Sequence, residues 1–388
     1  MVILGIETSC DETALALIET RGVGADMECR VIGSLIHSQA ELHSAYGGVF
    51  PTLAKREHGK NIVPLLGKLL GSANLPTAGT ASLTGLETFK NELETQNPDL
   101  WASLTDAHFL EQIPAIDRIA VTEGPGLEPA LWVGINFAKV LSAIWNIPIV
   151  PINHMEGHIV GSLLPSDTSN GSWQKLHGLA LPSLALLISG GHTELIKISK
   201  IGDYEIIGQT KDDAVGEAFD KAARLLGLPY PGGPHLSKLS HEAWQGGIQA
   251  PVALPRPMMH SKDLDFSFSG LKTAVLYAVR DQKELTDGFK KGLAREFEQA
   301  VSETLEAKLR KAIDKIGAKS VIIGGGVSAN HMLRKRFTAI AEEYGIPLFM
   351  PSQHISGDNA LMIALAAAFH SADADRMPKA HGTKRLGA

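Results

Sequence analysis

An internal repetition constrains the fold more than any other feature of the chain. Residues 118–164 predict a strand, a Gly-Pro loop, a helix over 129–145, a second strand and the start of another helix. Residues 319–370 predict the same elements in the same order, with a glycine-rich loop at the same place. Alternating strands and helices are typical of α/β proteins. The sequence therefore predicts two similar α/β halves that face each other across a cleft.

A second pair of matching segments supports the duplication. Residues 2–19 and residues 184–198 both predict two strands around a polar or glycine-containing turn. A single β-Gly-α match is common and could be coincidence, whereas two matched pairs in the same order argue against it. In α/β sheets, ligands bind beyond the carboxyl ends of the strands. Both glycine loops follow a predicted strand, so we expect them to line the cleft.

The repetition also predicts the domain limits. We expect an N-terminal half over 1–180 and a C-terminal half over 181–355, with a final helix, 356–388, that packs back on the N-terminal half. Residues 71–114 are rich in Gly, Thr, Asn and Pro and interrupt the pattern. Long irregular segments are usually functional or disordered. We interpret this one as an insertion, either disordered or a surface decoration, and assign no role to it.

Composition excludes several classes of protein. The 388 residues include 36 Lys and Arg against 42 Asp and Glu, a net charge of −6, which argues against binding nucleic acid by bulk charge. An aromatic share of 6% argues against a platform of stacked rings. Two cysteines, Cys10 and Cys29, exclude a disulfide scaffold and indicate a reducing compartment. No apolar run approaches the ~18–20 residues of a membrane span, and no signal peptide is recognisable, so we expect a cytoplasmic protein.

His154 and His158 are candidate metal ligands. They stand four residues apart where a helix is predicted to start, so both imidazoles lie on one face of it. Asp358 stands at the equivalent helix start of the second half, where the cleft would bring it opposite the histidines. Two histidines and a carboxylate with open positions suit Zn²⁺ or Fe²⁺. A zinc protease is disfavoured, because its H-E-x-x-H pattern requires Glu where this chain has Met155.

Two glycine-rich turns are candidate phosphate sites. Residues 189–193 follow a predicted strand, and the turn 324–326 leads to Ser328 and Asn330 at a predicted helix start. Small side chains and N–H groups in such turns can bind a phosphate. Neither turn matches the P-loop or the Rossmann fingerprint. Each alone is an ordinary tight turn, whereas two that flank one cleft favour a nucleotide, and both interpretations stay open.

Two further segments carry carboxylates. Residues 212–224 predict a helix, and the rigid Gly-Pro turn that follows it could close over an adenosine while Asp220 binds ribose hydroxyls; a solvated helix face is the alternative. The polar loop 7–13 contains Asp11 and Glu12, which could supply a general base or be part of a plain hairpin turn. We interpret Cys10 as a small packed residue.

Together these motifs resemble a known family. The chain is similar to the TsaD family of tRNA N6-adenosine threonylcarbamoyltransferases, once described as O-sialoglycoprotein endopeptidases. The resemblance extends along nearly the whole chain. The matching motifs are GIETSCDET at 5–13, YGGVFPTLAKREH at 46–58, VTEGPGLEPALWVGINFAK at 121–139, NHMEGH at 153–158, LISGGHTEL at 187–195, DDAVGEAFDKAARLLGLPYPGGP at 212–234, FSFSGLKTAV at 266–275, GGGVSANHMLR at 324–334 and SGDNALMIA at 356–364.

The resemblance implies an α/β fold of the actin-like ATPase (ASKHA) type, with two duplicated halves around a cleft. It implies one divalent metal ion, Fe²⁺ or Zn²⁺, on His154, His158 and Asp358. Ser237 stands where many relatives have a carboxylate, and its hydroxyl can still form a hydrogen bond. The substrate contacts that carry over are Leu187, Ile188, Ser189, Gly190, Gly191, Asp220, Gly233, Ser237 and Asn330.

The implied reaction transfers a threonylcarbamoyl group from threonylcarbamoyl-AMP to N6 of adenosine 37, beside the anticodon, in tRNAs that read codons beginning with adenine. Asp11 and Glu12 are hypotheses for the base. Partner subunits of the TsaB and TsaE type are implied, and no membrane. An ATP-dependent kinase would explain the glycine turns but not the histidine pair, and a non-catalytic subunit would not keep three metal ligands.

A tRNA substrate requires a local basic surface, either on this acidic chain or on its partners. The first candidate is the segment around the predicted helix 51–70, which contains Lys55, Arg56 and His58. The start of a capped helix is its plain alternative. The second candidate is the helix that contains Arg334, Lys335 and Arg336.

Overall fold

The computed structural model describes residues 1–165, 171–371 and 376–387. Strands and helices are mixed along the described chain, and parallel strands connected through helices occur in both large sheets, which confirms the predicted α/β class. The strands are β1 Val2–Glu7, β2 Glu12–Arg21, β3 Glu28–Ser38, β4 Thr77–Thr80, β5 Gln112–Pro114, β6 Arg118–Gly124, β7 Ile149–Asn153, β8 Gln174–Lys175, β9 Ser183–Ile188, β10 Thr193–Lys200, β11 Asp203–Gln209, β12 Ser320–Gly324 and β13 Leu348–Phe349. The α-helices are α1 Ala40–Ser44, α2 Pro51–Ala73, α3 Lys90–Gln96, α4 Pro98–Thr105, α5 Glu128–Trp145, α6 His154–Gly161, α7 Val215–Leu225, α8 Gly232–Gln245, α9 Ser269–Arg280, α10 Asp287–Ile316, α11 His331–Tyr344 and α12 Ala360–Ala367. Short 3₁₀ helices cover Gly24–Asp26, Leu83–Phe89, His108–Glu111, Gly326–Ala329 and Gln353–Ile355.

The described residues form two large sheets with corresponding strand orders. The N-terminal sheet has the order β7-β6-β1-β2-β3-β8, and the C-terminal sheet has the order β11-β10-β9-β12-β13. In each sheet the first strand, β1 or β9, pairs antiparallel with the next strand of the chain and parallel with a later one, β6 or β12. Strands β7 and β13 then extend the parallel side. The predicted duplication is confirmed, while the limits at residues 180 and 355 stay predictions.

Helices cover both faces of each sheet. In β1, Leu4 and Ile6 pack with α2 and α5, whereas Ile3 faces α12. In β9, Leu186 packs with α7, α9 and α10, whereas Leu187 faces α6. Continuous apolar strands of this kind are typical of sheets buried on both sides. Helices α6 and α12 therefore lie between the two sheets and pack against each other.

The last helix is shorter than the predicted 356–388. It spans Ala360–Ala367, and the described residues that follow, 368–371 and 376–387, form no helix. Gly382, Gly387 and a proline interrupt this tail, and both residue types are poor helix formers. The rest of the predicted helix lies outside the described residues.

Helix α12 packs against β1, β2 and β6 of the N-terminal sheet. It is apolar on every side because it lies between layers, which is the pattern of a buried helix. In the part of the chain that the structure describes, no helix is both long enough and apolar enough to cross a membrane.

The segment 71–114 is folded, so of the two alternatives expected for this insertion, disorder is wrong and a surface decoration remains. It forms β4, β5, α3, α4 and the 3₁₀ helix Leu83–Phe89; α4 packs against α2, and the 3₁₀ helix packs against α5. Its buried side consists of leucines that are spaced through an otherwise polar sequence. The polar residues between the leucines hid their apolar periodicity in the sequence. The buried leucines are Leu86, Leu93, Leu100, Leu104 and Leu110.

Candidate metal centre and substrate cleft

Helix α6 begins directly at the carboxyl end of β7. The side-chain oxygen of Asn153 accepts a hydrogen bond from the N–H of Met155 at 2.8 Å, which fixes the helix start. His154 is then the first helical residue, and His158 lies one turn later on the same face. The two rings are buried and stand edge to face with centroids 4.7 Å apart. This geometry directs both imidazoles toward the start of α12.

Asp358 lies at that start. Asn359 caps α12 by accepting a hydrogen bond from the N–H of Met362 at 3.0 Å, so Asp358 is the residue immediately before the cap. Both helices that contribute to the centre thus begin with an asparagine cap. Asn153 is the last residue of β7, and Asn359 ends the loop before α12. The predicted correspondence between the two halves brings their helix starts together.

Close packing of α12 makes this meeting possible. A methyl group on Gly157 or Gly161 of α6 would lie 2.9 Å from side-chain atoms of α12. A methyl group on Gly5 of β1 would collide with the carbonyl oxygen of Ala360. Distances this short are not tolerated in a packed interior. The three glycines therefore allow α12 to come close enough for Asp358 to reach the histidines.

Three potential ligand atoms converge at this point. The Nε2 atoms of His154 and His158 each lie 3.3 Å from Oδ1 of Asp358, and the three ligand atoms lie within 4.8 Å of one another. His158 Nε2 is buried and has no hydrogen-bond partner among the described residues. An unpaired buried nitrogen is costly, and a metal ion would satisfy it. Two imidazoles and a carboxylate fit a divalent transition metal, so the residues present suit such an ion.

Glu7 lies behind His154, at the end of β1. Its Oε2 atom is 3.0 Å from Nδ1 of His154 and accepts a hydrogen bond from Thr122 at 2.5 Å. Ser9 donates its N–H to Oε1 of Glu7 and places its hydroxyl 3.2 Å from the same histidine nitrogen. A carboxylate on the far nitrogen of a ligating histidine fixes the tautomer and raises its basicity. Sequence reasoning did not single out this role of Glu7.

Burial and charge act against each other in this cluster. Burial disfavours the charged form of His154, but the carboxylates of Asp358 and Glu7 raise its pKa well above the usual value. Burial also opposes ionisation of Asp358, but contact with both histidines lowers its pKa overall. Burial lowers the pKa of His158. Without a metal, the centre therefore holds a proton on His154 that a metal ion would displace.

The loop 7–13 lies against the same centre. Burial, with the charges of Asp11 and Asp358, raises the pKa of Glu12 well above its usual value. Burial and the same two carboxylates also raise the pKa of Cys10, which agrees with a packed thiol rather than a nucleophile. His58 of α2 supports the loop: its Nε2 lies 3.1 Å from the carbonyl oxygen of Cys10. Glu12 thus lies close enough to Asp11 and Asp358 for both charges to act on it, and the catalytic role of Asp11 and Glu12 stays a prediction.

The turn after β9 is open where a ligand would lie. The N–H of Ser189 donates to the carbonyl oxygen of His192 at 2.9 Å, which closes the turn. Among the described residues, Gly190 and Gly191 donate their N–H groups to no partner, and nothing lies within 4 Å of a methyl group added to either. Leu187 and Ile188, by contrast, are buried at the end of β9 and anchor the start of the turn in the sheet.

The second glycine loop packs directly against the first. Gly325 has φ +87°, and a methyl group there would collide with the carbonyl oxygen of Ile188. Only glycine combines this backbone conformation with such a close approach. The two turns predicted from the repeats therefore meet at one edge of the C-terminal sheet.

Asp220 organises the Gly-Pro turn. Its Oδ1 accepts hydrogen bonds from the N–H groups of Gly232 at 2.7 Å and Gly233 at 3.3 Å, at the start of α8. Burial raises the pKa of Asp220. Its Oδ2 makes no hydrogen bond to the described residues. Asp220 thus has one oxygen engaged in the turn and one available for a ligand.

Asn330 and Ser237 form one polar cluster. Asn330 caps α11 through its oxygen, and its Nδ2 donates to Ser237 Oγ at 2.8 Å and to Glu298 Oε1 at 2.6 Å. Glu298 lies in α10 and is buried. Sequence reasoning missed Glu298, because its position within a long charged helix carries no motif. The cluster places a carboxylate close to Ser237.

The candidate basic surfaces are only partly available. The expectation for His58 is wrong, because the side chain is buried and burial lowers its pKa to about 4. Arg334 donates to the carbonyl oxygens of Ser328 and Pro351, and Arg336 pairs with Glu306 at 2.9 Å. Lys335, Lys55 and Arg56 make no ion pair among the described residues, and Lys335 and Arg56 are exposed. These three are therefore the better candidates for contacts with an anionic substrate.

Comparison with known proteins identifies the family. The sequence model of the TsaD family, described as tRNA N6-adenosine threonylcarbamoyltransferase, matches residues 30–79 and 105–365. The chain belongs to the TsaD family. It is 41% identical over 369 residues to the tRNA N6-adenosine threonylcarbamoyltransferase of Methylobacillus flagellatus, covering 95% of this chain and 92% of that one. It is 40% identical to the enzyme of the same name from Polynucleobacter necessarius, with the same coverage.

A solved structure confirms the fold. Full-length HypF in its phosphate- and nucleotide-bound form is similar over 95% of this chain and 46% of that chain, with a TM-score of 0.50 and 12% identity. At such low identity the likeness concerns the fold alone. The chain is thus a TsaD-family transferase with the duplicated, actin-like ATPase fold that the sequence predicts.

Proposed function

We propose that this chain transfers the threonylcarbamoyl group of threonylcarbamoyl-AMP to N6 of adenosine 37 in tRNAs that read codons beginning with adenine. The convergence of His154, His158 and Asp358 in the cleft of a TsaD-family chain is the observation that carries the proposal. We further propose that it works in the cytoplasm with partner subunits of the TsaB and TsaE type. Residues 1–180 and 181–355 form the two halves that enclose the substrates.

His154 Nε2, His158 Nε2 and Asp358 Oδ1 would hold one Fe²⁺ or Zn²⁺. When bound, such an ion supplies Lewis-acid polarisation of the carbonyl group and a template for the reactants. Glu7 contributes by holding His154 in the tautomer that turns Nε2 toward the ion. Because these side chains come from α6 and from the start of α12, the centre depends on the packing of these two helices against each other.

The leaving AMP is bound by the C-terminal half. The free N–H groups of Gly190 and Gly191 accommodate its phosphate, above Leu187, Ile188 and Ser189. The second oxygen of Asp220 binds a ribose hydroxyl beside Gly233. Ser237 and Asn330 complete this side of the site, with Glu298 holding the Asn330 amide in place.

The attacking amine needs help, because its lone pair is delocalised into the purine ring. N6 attacks the carbamoyl carbon, the bond from that carbon to the phosphate oxygen breaks, and AMP leaves. A base must accept the N6 proton. Glu12 and Asp11 are our candidates, and the raised pKa of Glu12 brings it toward the range where a base is most effective. Fixing both reactants in line removes much of the entropic cost.

A transfer assay with defined substrates tests the proposal. Threonylcarbamoyl-AMP labelled in its threonine is incubated with the chain, candidate partners and an unmodified tRNA that reads an adenine-initial codon. We expect label on that tRNA at adenosine 37, and none on a matched tRNA with guanosine at this position. Equal labelling of both tRNAs, or no labelling with any partner, would contradict the proposal.

A further inference from the structure

A cavity of about 250 Å³ lies apart from the metal centre, between the start of α2 and the segment 95–100. Thr52, Lys55 and Arg56 line it from α2, and Asn97 and Asp99 line it from the other side. None of the metal ligands or of the residues of the glycine turns lines it.

Asn97 is the unusual residue of the cavity wall. Its side chain is 3% exposed, and neither its Nδ2 nor its Oδ1 has a hydrogen-bond partner among the described residues. It precedes α4 without capping that helix, although asparagine is a favoured cap. A buried amide without partners is costly and calls for a polar occupant.

The charges around the cavity favour an anion. Lys55 and Arg56 make no ion pair among the described residues, so both cations are available. The first turn of α4, an eight-residue helix, also faces the cavity and adds the positive end of its dipole. The cavity lining contains one carboxylate, Asp99, which opposes binding of an anion. A tetrahedral anion would meet the cations and the Asn97 Nδ2 donor together.

The surroundings point to RNA as the source of that anion. Tyr46 and Phe50, just before α2, are exposed and stack on each other with ring centroids 5.9 Å apart. Exposed aromatic rings beside cations are typical of surfaces that bind unpaired nucleotides. On the same helix, His58 contacts the loop that borders the metal centre. Helix α2 therefore contacts both the cavity and the loop beside the metal centre.

We propose that this cavity binds a backbone phosphate of the tRNA substrate, through Lys55, Arg56 and Asn97. The proposal rests on the proposed function only in taking tRNA as the substrate. The family sequence model matches no residue between 80 and 104, so the Asn97 wall belongs to a segment outside the family pattern. Lys55 and Arg56 lie within the matched residues 30–79, so only the Asn97 side of the cavity is particular to this chain.

Fluorescence anisotropy with labelled tRNA tests the proposal. We expect Arg56→Ala and Lys55→Ala each to weaken tRNA binding about 5- to 10-fold. Each should also reduce the slope of the logarithm of the binding constant against the logarithm of the salt concentration by about one. Lys68→Ala removes an exposed cation from the same helix and should leave binding unchanged. Asn97→Ala should weaken binding without lowering the melting temperature, because it removes an unpaired buried amide. Equal loss in Lys68→Ala, or no loss in the other three, would overturn the proposal.

Two further arms separate the possible sources of the phosphate. A tRNA with guanosine at position 37 should bind with the same dependence on Arg56, which keeps the proposal testable even if transfer itself fails. Inorganic phosphate and AMP serve as free anions. One outcome would show that the cavity binds a free phosphate and that the RNA proposal is wrong. In that outcome, phosphate or AMP raises the melting temperature of the wild type but not of Arg56→Ala, and the affinity for tRNA is the same in both proteins.

Discussion

The Nδ1 atom of His154 lies 3.0 Å from the Oε2 atom of Glu7, at the end of the first strand. This contact decides which nitrogen of His154 faces Asp358. Glu7 is fully buried, and its pKa is lowered overall: burial raises it, but the adjacent His154 outweighs that effect. The two residues are 147 positions apart in sequence and meet because β1 and β7 end at the same edge of one sheet.

Replacing this carboxylate should loosen the metal centre. We predict that Glu7→Gln lowers the affinity for Fe²⁺ or Zn²⁺ about 10- to 100-fold, because His154 becomes less basic and less firmly oriented. Competition with a chromogenic chelator measures the affinity directly, without reference to activity. Unchanged affinity in a folded Glu7→Gln protein would show that Glu7 does not orient the ligand.

The close approach of α12 can be tested by adding a single methyl group. We predict that Gly5→Ala lowers the free energy of unfolding by about 1–3 kcal/mol, because the methyl group collides with Ala360 and displaces the helix. Gly71→Ala is the control: it lies in α2 with open space around it and should raise stability by about 0.5–1 kcal/mol. Urea unfolding of the metal-free proteins gives both values, and equal effects at the two positions would contradict the packing argument.

His58 should make stability depend on pH. Burial lowers its pKa from 6.5 to about 4 in the folded state, so the unfolded state binds a proton first as the pH falls. The contribution of His58 is therefore complete above about pH 6.5 and is lost progressively between pH 6.5 and 4, with a total of about 1–3 kcal/mol. His58→Gln should show a smaller slope of unfolding free energy against pH over this range. An identical slope would mean that His58 titrates normally.

The tail after α12 should contribute to the joint between the two halves. Leu386 is buried beside Met155 of α6 and Leu187 of β9. We predict that Leu386→Ala lowers the free energy of unfolding by about 2–5 kcal/mol. Met377→Ala alters an exposed side chain of the same tail and should change it by less than about 0.5 kcal/mol. Similar values for the two variants would show that the tail is not packed.

Local patterns predicted most of the fold. The apolar runs of β1, β9 and β12, each followed by a glycine-rich or polar loop, indicated the duplicated halves, because strand burial and tight turns are encoded over a few residues. The same repetition predicted that Asp358 would meet His154 and His158, since equivalent helix starts lie at equivalent sheet edges.

Local sequence patterns could not predict the contacts between segments that are distant in sequence. The Glu7–His154 pair, the Asn330–Glu298 hydrogen bond and the orphaned Asn97 amide all depend on packing between elements far apart in sequence. His58 was taken for a surface residue because its helix face could not be assigned without the loop that covers it. The folded state of 71–114 was missed because its leucines are separated by polar residues.

The central claim is that His154, His158 and Asp358 form the metal centre that supports transfer. The most direct measurement is the single-turnover rate of threonylcarbamoyl transfer to tRNA for the wild type and Asp358→Ala, each as purified, after chelation and after reloading with Fe²⁺ or Zn²⁺. We predict that chelation abolishes transfer by the wild type and that reloading restores it, while Asp358→Ala binds the metal weakly and stays at least 100-fold slower throughout. Wild-type rates from chelated protein and from Asp358→Ala would contradict the account.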